Sequence, residues 1–193
     1  MQAEWSAEQS CNQTKQVLTC MEESRVQLLM LLDKMHQLTS RMLSNMPVQS
    51  FSFRGGAASL EAYRVLCPYL LGMEKQKREL QGVILEIGGQ RDALAKAFVQ
   101  ASTALLGVDC DAELKEARER QKQLLGHLAS YTDAVRTFHT EVLRRYLQAL
   151  GTASDAEHEG RMCNISEICK LGGAFCERLE LLCREIKSTA LSG

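Results

Sequence analysis

Eight cysteines give this chain most of its capacity for chemistry, because a thiol can form a disulfide, bind a metal or act as a nucleophile. They stand at positions 11, 20, 67, 110, 163, 169, 176 and 183. The last three recur every seven residues, which on a helix separates neighbours by about 10.5 Å along the axis. A disulfide needs Cα atoms within about 7 Å, and zinc needs sulfur ligands at about 2.3 Å. The spacing therefore excludes a bridge or a shared metal between neighbours and favours free, buried thiols.

Two other cysteines are candidates for a reactive thiol. Cys67 precedes a proline, and Cys110 stands where the pattern predicts the start of a helix. The N-terminal end of a helix stabilises an anion, so Cys110 is the stronger candidate for a thiolate. A thiol-based redox sensor is therefore one alternative function.

The other motifs do not amount to a catalytic, metal or cofactor site. Residues 109–120 begin like a calcium loop but lack its glycine at the sixth position and its glutamate at the twelfth. Arg54-Gly-Gly56 lacks the lysine and serine of a phosphate-binding loop. The histidines have no paired metal spacing, and we expect them to be solvated or at the edge of the core: His36, His127, His139 and His158. We predict no enzyme, no metal and no cofactor.

Helices are the elements that position these residues. Hydrophobic residues make up 45% of the chain but aromatic residues only 5%, and there are two prolines, which favours helices over strands. Helices are predicted at about 7–45, 59–106 with a break near Pro68, 111–150 and 161–189, with loops at about 46–58 and 151–160. Helix caps are expected at Ser6, Ser59, Asp109 or Asp111, and Ser154.

Apolar residues recur in each segment at alternating spacings of three and four, as in coiled coils. The third segment is the most regular, with core positions at Leu114, Ala117, Gln121, Leu124, Leu128, Tyr131, Val135, Phe138 and Val142. The length of this segment, at about 1.5 Å per residue, predicts an extended molecule. We therefore predict an all-α fold: an elongated antiparallel helical bundle or coiled coil of about four helices, forming a single helical unit over residues 1–193.

The last segment carries the widest apolar stripe. Its two core positions are occupied by Met162, Cys169, Cys176 and Cys183, and by Ile165, Gly172, Leu179 and Ile186, with Ile168, Phe175 and Leu182 on one flank. Such a stripe is wider than a two-stranded seam needs. It predicts the principal assembly surface, which either completes the bundle or docks on a partner through Met162, Ile165, Cys169, Cys176, Leu179, Cys183 and Ile186. Gly172-Gly173 should admit another backbone or mark a bend.

The charge and hydropathy patterns limit the classes of partner and the compartment. The formal net charge is −1, and acidic and basic residues alternate, as in residues 111–120, so we expect no nucleic-acid partner. The first residues lack the pattern of a secretory signal, and we find no apolar run of the roughly 18–20 residues that a membrane span requires. We expect no membrane insertion and a cytoplasmic protein, either cytoskeleton-associated or nuclear, because its thiols should stay reduced.

These helical heptads are similar to those of small subunits of cytoskeletal, centrosomal, kinetochore and vesicle-tethering complexes. The resemblance implies a non-enzymatic coiled-coil scaffold or adaptor in an intracellular multiprotein assembly. Its partners would be other helical proteins bound by coiled-coil pairing, with a hetero-oligomer favoured over a homo-oligomer. A secreted four-helix signalling bundle is the other alternative, supported by the even cysteine count and by the acceptor tripeptides Asn12-Gln-Thr14 and Asn164-Ile-Ser166.

Overall fold

Four helices make up the computed structural model, which describes residues 2–45, 56–103, 110–150 and 156–191. They are α1 (Gln2–Asn45), α2 (Gly56–Thr103), α3 (Asp111–Leu150) and α4 (Ala156–Ala190). Side chains are described for residues 9–41, 64, 66–103, 110–141 and 166–191. Within the described backbone there is no strand. The predicted all-α class and the number of helices are confirmed.

The chain divides into two compact units, and each unit contains a part of all four helices. Unit 1 comprises Met1–Met30, Glu79–Ala129 and Leu181–Gly193, and unit 2 comprises Leu31–Arg78 and Ser130–Glu180. Unit 1 combines the first parts of α1 and α3 with the last parts of α2 and α4, and unit 2 does the reverse. Successive helices within each unit therefore alternate in direction, as in an antiparallel four-helix bundle.

Apolar residues of all four helices form the core of each unit, because burying a leucine or isoleucine side chain contributes roughly 1.5–3 kcal/mol. Every described core position of α3, from Leu114 to Phe138, is buried, which confirms the periodicity of this helix. The main apolar core residues of unit 1 are Val17, Met21, Leu28, Leu80, Ile84, Ile87, Leu94, Leu114, Leu124, Leu128, Leu182 and Ile186. Those of unit 2 are Leu31, Leu32, Met35, Leu66, Met73, Tyr131, Val135, Phe138, Ile168, Phe175 and Leu179.

Two predicted helix starts are wrong, because the helices begin earlier than their first capping pattern. Ser6 lies inside α1 and Ser59 lies inside α2, so neither residue caps a helix. The ends of the predicted loops, residues 56–58 and 156–160, are likewise helical. The rest of those loops, together with Asp109 and Ser154, lies outside the described residues.

Cys110 occupies the N-cap position of α3, so Asp111 is not the N-cap residue that the sequence offered as one of two candidates. The carbonyl of Cys110 accepts the first helical hydrogen bond, from the Leu114 amide at 2.9 Å. Asp111 follows as the first helical residue, and both it and Glu113 place carboxylates in the first turn. Negative charges there complement the helix dipole, so Asp111 stabilises this helix through its charge.

The predicted break near Pro68 is wrong, since α2 runs without interruption from Gly56 to Thr103. Proline removes the hydrogen bond to the carbonyl four residues earlier, which belongs to Arg64. Arg64 and Pro68 are both exposed, so solvent can hydrate this carbonyl. Leu66 and Met73 on the opposite face are buried in unit 2. Their packing offsets the cost of the lost hydrogen bond and keeps the helix continuous.

A polar layer crosses the largely apolar core of unit 1. The buried Gln121 of α3 donates from Nε2 to the hydroxyl of Thr189 in α4 at 3.2 Å. That hydroxyl lies 3.1 Å from the Cys20 sulfur of α1 and 3.0 Å from the Ile186 carbonyl. The layer therefore links three helices at one level through directional contacts.

We predict that replacing both Leu179 and Ile186 with aspartate unfolds the chain, because each side chain is fully buried and an unpaired buried charge costs several kcal/mol. Whole domains are stable by only about 5–15 kcal/mol. Circular dichroism and thermal melting measure the outcome. The matched control places aspartate at Leu181 and Leu191, which are exposed, and should keep its helicity. A core variant that melts like the wild type would contradict the described packing.

Candidate partner-binding site

The predicted interface residues of α4 turn toward the chain's own helices wherever their side chains are described. Leu179 and Ile186 are fully buried and Cys176 is nearly so, while Cys169 and Cys183 are half-buried. Met162 and Ile165 have side chains outside the described set. The sequence allowed this stripe to complete the bundle or to dock on a partner, and packing within the bundle accounts for its buried members. A surface for a partner is therefore sought among exposed residues.

One turn of α1 exposes three large apolar side chains, which we call the α1 patch. Val26, Leu29 and Met30 of unit 1 are 43%, 43% and 56% exposed. They are spaced by three and four residues, so they are neighbours on the same side of the helix. Single exposed apolar residues are ordinary on protein surfaces, whereas clusters of them are candidates for interaction sites. Sequence periodicity missed this patch because it lies off the core stripe.

A small network of ion pairs lies beside the α1 patch and joins α1 to α2. Glu22 is 3.3 Å from an Arg25 guanidinium nitrogen and 3.6 Å from an Arg91 guanidinium nitrogen of α2. Arg91 in turn contacts Asp92 at 2.7 Å. All four side chains are substantially exposed, so each pair contributes little stability, typically about 0–1 kcal/mol. Glu22 and Arg25 thus place charged groups within one turn of Val26.

A second exposed surface, the α1–α4 groove, lies within unit 2 and has a volume of about 360 Å³. Its floor is apolar and includes the buried residues Leu31 and Phe175, together with Leu171, which is 41% exposed. Exposed basic side chains line its rim: Lys34, Arg41 and Arg178. No carboxylate lines this groove among the described residues. It therefore combines an apolar floor with a positively charged rim.

A separate cavity of unit 2, about 370 Å³ in volume, lies between α3 and α4 at His139. The imidazole is only 8% exposed and packs edge-on against Phe138, with ring centroids 5.8 Å apart. Neither ring nitrogen has a hydrogen-bond partner. Burial lowers the pKa of His139 to about 4, so the ring is neutral near pH 7. His139 is nearly buried and lines this cavity, which agrees with the prediction of an edge-of-core histidine.

Gly172 makes room for that imidazole. A Cβ atom at Gly172 would lie 1.8 Å from His139 Nδ1 and 1.9 Å from Cε1, whereas a Cβ at Gly173 would meet open space. The predicted close approach at the glycine pair is therefore made by a side chain rather than a backbone, and α4 continues through both glycines. The spacing of His139, four residues after the core residue Val135, is the signal that could have placed it in the core.

The described cysteines are all free thiols. Burial raises the pKa of the Cys20, Cys169 and Cys176 thiols, which keeps them protonated and weakly nucleophilic. Cys110 is buried, with its sulfur 3.8 Å from the Thr14 hydroxyl, and Cys67 is half-buried. The side chain of Cys163 lies outside the described set. The structure thus places Cys110, the stronger sequence candidate for a reactive thiol, inside the bundle.

Two other classes of site were sought in the described part of the chain. It contains no cluster of three histidine, cysteine or acidic side chains that could hold a metal ion. None of its described helices has a stretch long and apolar enough to cross a membrane.

Replacing Gly172 with alanine should destabilise the protein by about 1–3 kcal/mol, because the new methyl group displaces the His139 ring from a packed core. Gly173→Ala is the matched control and should be neutral or stabilising by up to about 1 kcal/mol, since alanine favours helix. Urea unfolding measures both. Adding Gly172→Ala to a His139→Ala background should cost much less than adding it to the wild type. Equal costs in the two backgrounds would refute this contact.

The neutral, buried His139 should also make the protein acid-sensitive. Its folded pKa of about 4 lies below the ordinary value of about 6.5, so the unfolded chain binds more protons between these values. The free energy of unfolding should therefore fall as the pH drops from 6.5 toward 4, by at most about 3 kcal/mol from this residue. Arg136, Glu177 and Glu180 line the same cavity and are kept in a His139→Leu variant, which is the matched control. Denaturant unfolding across this range should show a steeper pH dependence for the wild type, and identical slopes would contradict the assignment.

Comparison of the chain with protein-family models, with curated proteins and with solved structures finds no match.

Proposed function

We propose that this chain is a non-enzymatic scaffold or adaptor subunit of an intracellular multiprotein assembly, of the cytoskeletal, centrosomal, kinetochore or tethering type. The α1 patch is the observation that carries the proposal. Val26, Leu29 and Met30 remain exposed on a bundle whose described core stripes are already buried. Folding of the bundle does not need these side chains inside it. A partner that covers them gains about 25 cal/mol for each Å² of apolar surface removed from water.

The shape of the α1 patch favours a helical partner. Its three side chains occupy one turn of a helix, and a second helix can pack its own apolar residues between them. The proposed partners are therefore other helical proteins, and a hetero-oligomer is favoured. Cytoplasmic localisation is supported by the spacing of Cys169, Cys176 and Cys183, which prevents neighbouring thiols from bridging. The raised pKa values of Cys20, Cys169 and Cys176 speak against a redox sensor at these thiols.

Replacing Val26, Leu29 and Met30 together with glutamine should remove the apolar contact but keep the helix, because glutamine is a good helix former. The wild type and this variant are used to capture proteins from an extract of the source cells, and bound proteins are quantified by mass spectrometry. We expect one set of proteins to fall together by more than tenfold with the variant. Circular dichroism confirms that both proteins are folded.

The matched control replaces Leu85, Val99 and Leu191 with glutamine, since these exposed apolar residues are separated along the chain. It makes the same number of changes of the same kind, and it should capture the same proteins as the wild type. Equal capture by the patch variant and the control would reject the α1 patch as the adaptor surface. Parallel loss by both would indicate nonspecific apolar binding, which also rejects it.

A further inference from the structure

We propose that the α1–α4 groove binds an acidic amphipathic helix of a partner protein. The proposal rests on the adaptor function and specifies the chemistry of one partner. It concerns a surface of unit 2, whereas the α1 patch belongs to unit 1. The two surfaces can therefore be tested separately.

The floor of the groove provides a place for apolar anchors. Leu31 and Phe175 are buried beneath it, and Leu171 stands at its edge with 41% of its surface exposed. Leu171 is therefore partly hydrated when no partner is bound, although the core residues beneath it are buried. An apolar side chain inserted beside Leu171 and above Phe175 would remove both surfaces from water, which is the main source of affinity when helices dock in grooves.

The rim of the groove selects the charge of the occupant. Lys34, Arg41 and Arg178 line it and are exposed. Arg41 and Arg178 also make contacts within the chain, which restrict their side chains. The nearby Asp33 carboxylate accepts a hydrogen bond from the Gln37 amide at 2.8 Å. All three charged side chains that line the groove are cations, and carboxylates on the flanks of a docked helix would complement them.

The cavity at His139, which also belongs to unit 2, is not lined by an excess of basic side chains. Around His139, Arg136 is paired with Glu180, and Glu177 also lines the cavity. Two acidic groups there balance the single arginine, so that cavity does not favour an anionic ligand. The excess of one sign at the α1–α4 groove is thus a local property of its rim.

The length of the groove defines the segment that it can hold. Lys34 and Arg41 are seven residues apart on α1, as are Leu171 and Arg178 on α4, so each wall extends over about 10.5 Å. A partner helix would present apolar residues at two or three successive turns and glutamate or aspartate beside them. The described helices of this chain each carry both acidic and basic residues, as residues 111–120 do. A different protein therefore fits the groove better than a second copy.

Selection from a displayed peptide library tests the proposal on the full chain. The library contains 18-residue amphipathic helices with leucine fixed on the apolar face and with glutamate, lysine or glutamine varied at the flanking positions. The wild type should enrich glutamate at the flanks. The Lys34→Glu, Arg178→Glu double variant should enrich lysine and should bind the wild-type-selected peptides at least tenfold more weakly. The Leu171→Asp variant should bind neither the glutamate-flanked nor the lysine-flanked peptides.

Two controls separate charge from position. Lys115→Glu with Arg184→Glu makes the same change in net charge at exposed residues outside the groove and should keep the preference for glutamate. The glutamine variant of the α1 patch should bind the same peptides as the wild type. Failure of the peptide selection alongside specific loss of cellular partners by that variant would refute the groove and leave the adaptor function standing. Circular dichroism verifies that each variant is folded.

Four results would overturn the proposal. One is the same flanking preference for the wild type and the charge-reversed variant, and a second is the recovery of no binder. The third is binding that Leu171→Asp leaves unchanged, which would place the peptide elsewhere. The fourth is self-association of the wild type that the charge-reversed variant abolishes, as seen by light scattering, because the occupant would then be a second copy.

Discussion

The constraint on which this structure depends is that four apolar stripes of one chain must cover one another. Each stripe alone would leave leucine, isoleucine and methionine side chains in water, at a cost of roughly 1.5–3 kcal/mol for each large residue. The alternating directions of the helices bring all four stripes together within each unit. Continuity of α2 through Pro68, burial of the widest stripe on α4 and placement of a neutral imidazole against Gly172 all follow from this closure.

The repeated part of this core could be predicted from sequence, because each position is supported by neighbours three and four residues away. The α3 positions from Leu114 to Phe138 are buried as their spacing indicates. Local signals were less reliable. Considered alone, the cost of a proline inside a helix predicts a break at Pro68. The packing of Leu66 and Met73 offsets that cost, and α2 continues. The contact of His139 with Gly172 joins two helices, and no pattern within either helix contains it.

The sequence could predict that the chain has a surface for assembly but not which residues form it, because periodicity identifies residues that must be covered but not what covers them. The α4 stripe was expected to serve assembly, and its described side chains Leu179 and Ile186 are buried within the bundle itself. Val26, Leu29 and Met30 lie off the α1 stripe, so a helical pattern treats them as ordinary surface residues. The α1–α4 groove combines side chains that are far apart in sequence. Both surfaces became visible only when exposure and neighbouring charge were known.

Heptad repeats alone do not fix how α4 is aligned along its neighbouring helices, and the polar layer of unit 1 helps to fix it. A slip of α4 by seven residues would again place apolar residues opposite apolar residues, but it would bring Leu182 in place of Thr189 opposite Gln121. The Gln121 amide would then be buried without its partner, at a cost of about 1–3 kcal/mol. That difference alone disfavours the slipped alignment by roughly fivefold to more than a hundredfold. Gln121 and the fit of Gly172 against His139 thus both favour the observed alignment of α4 over the slipped one.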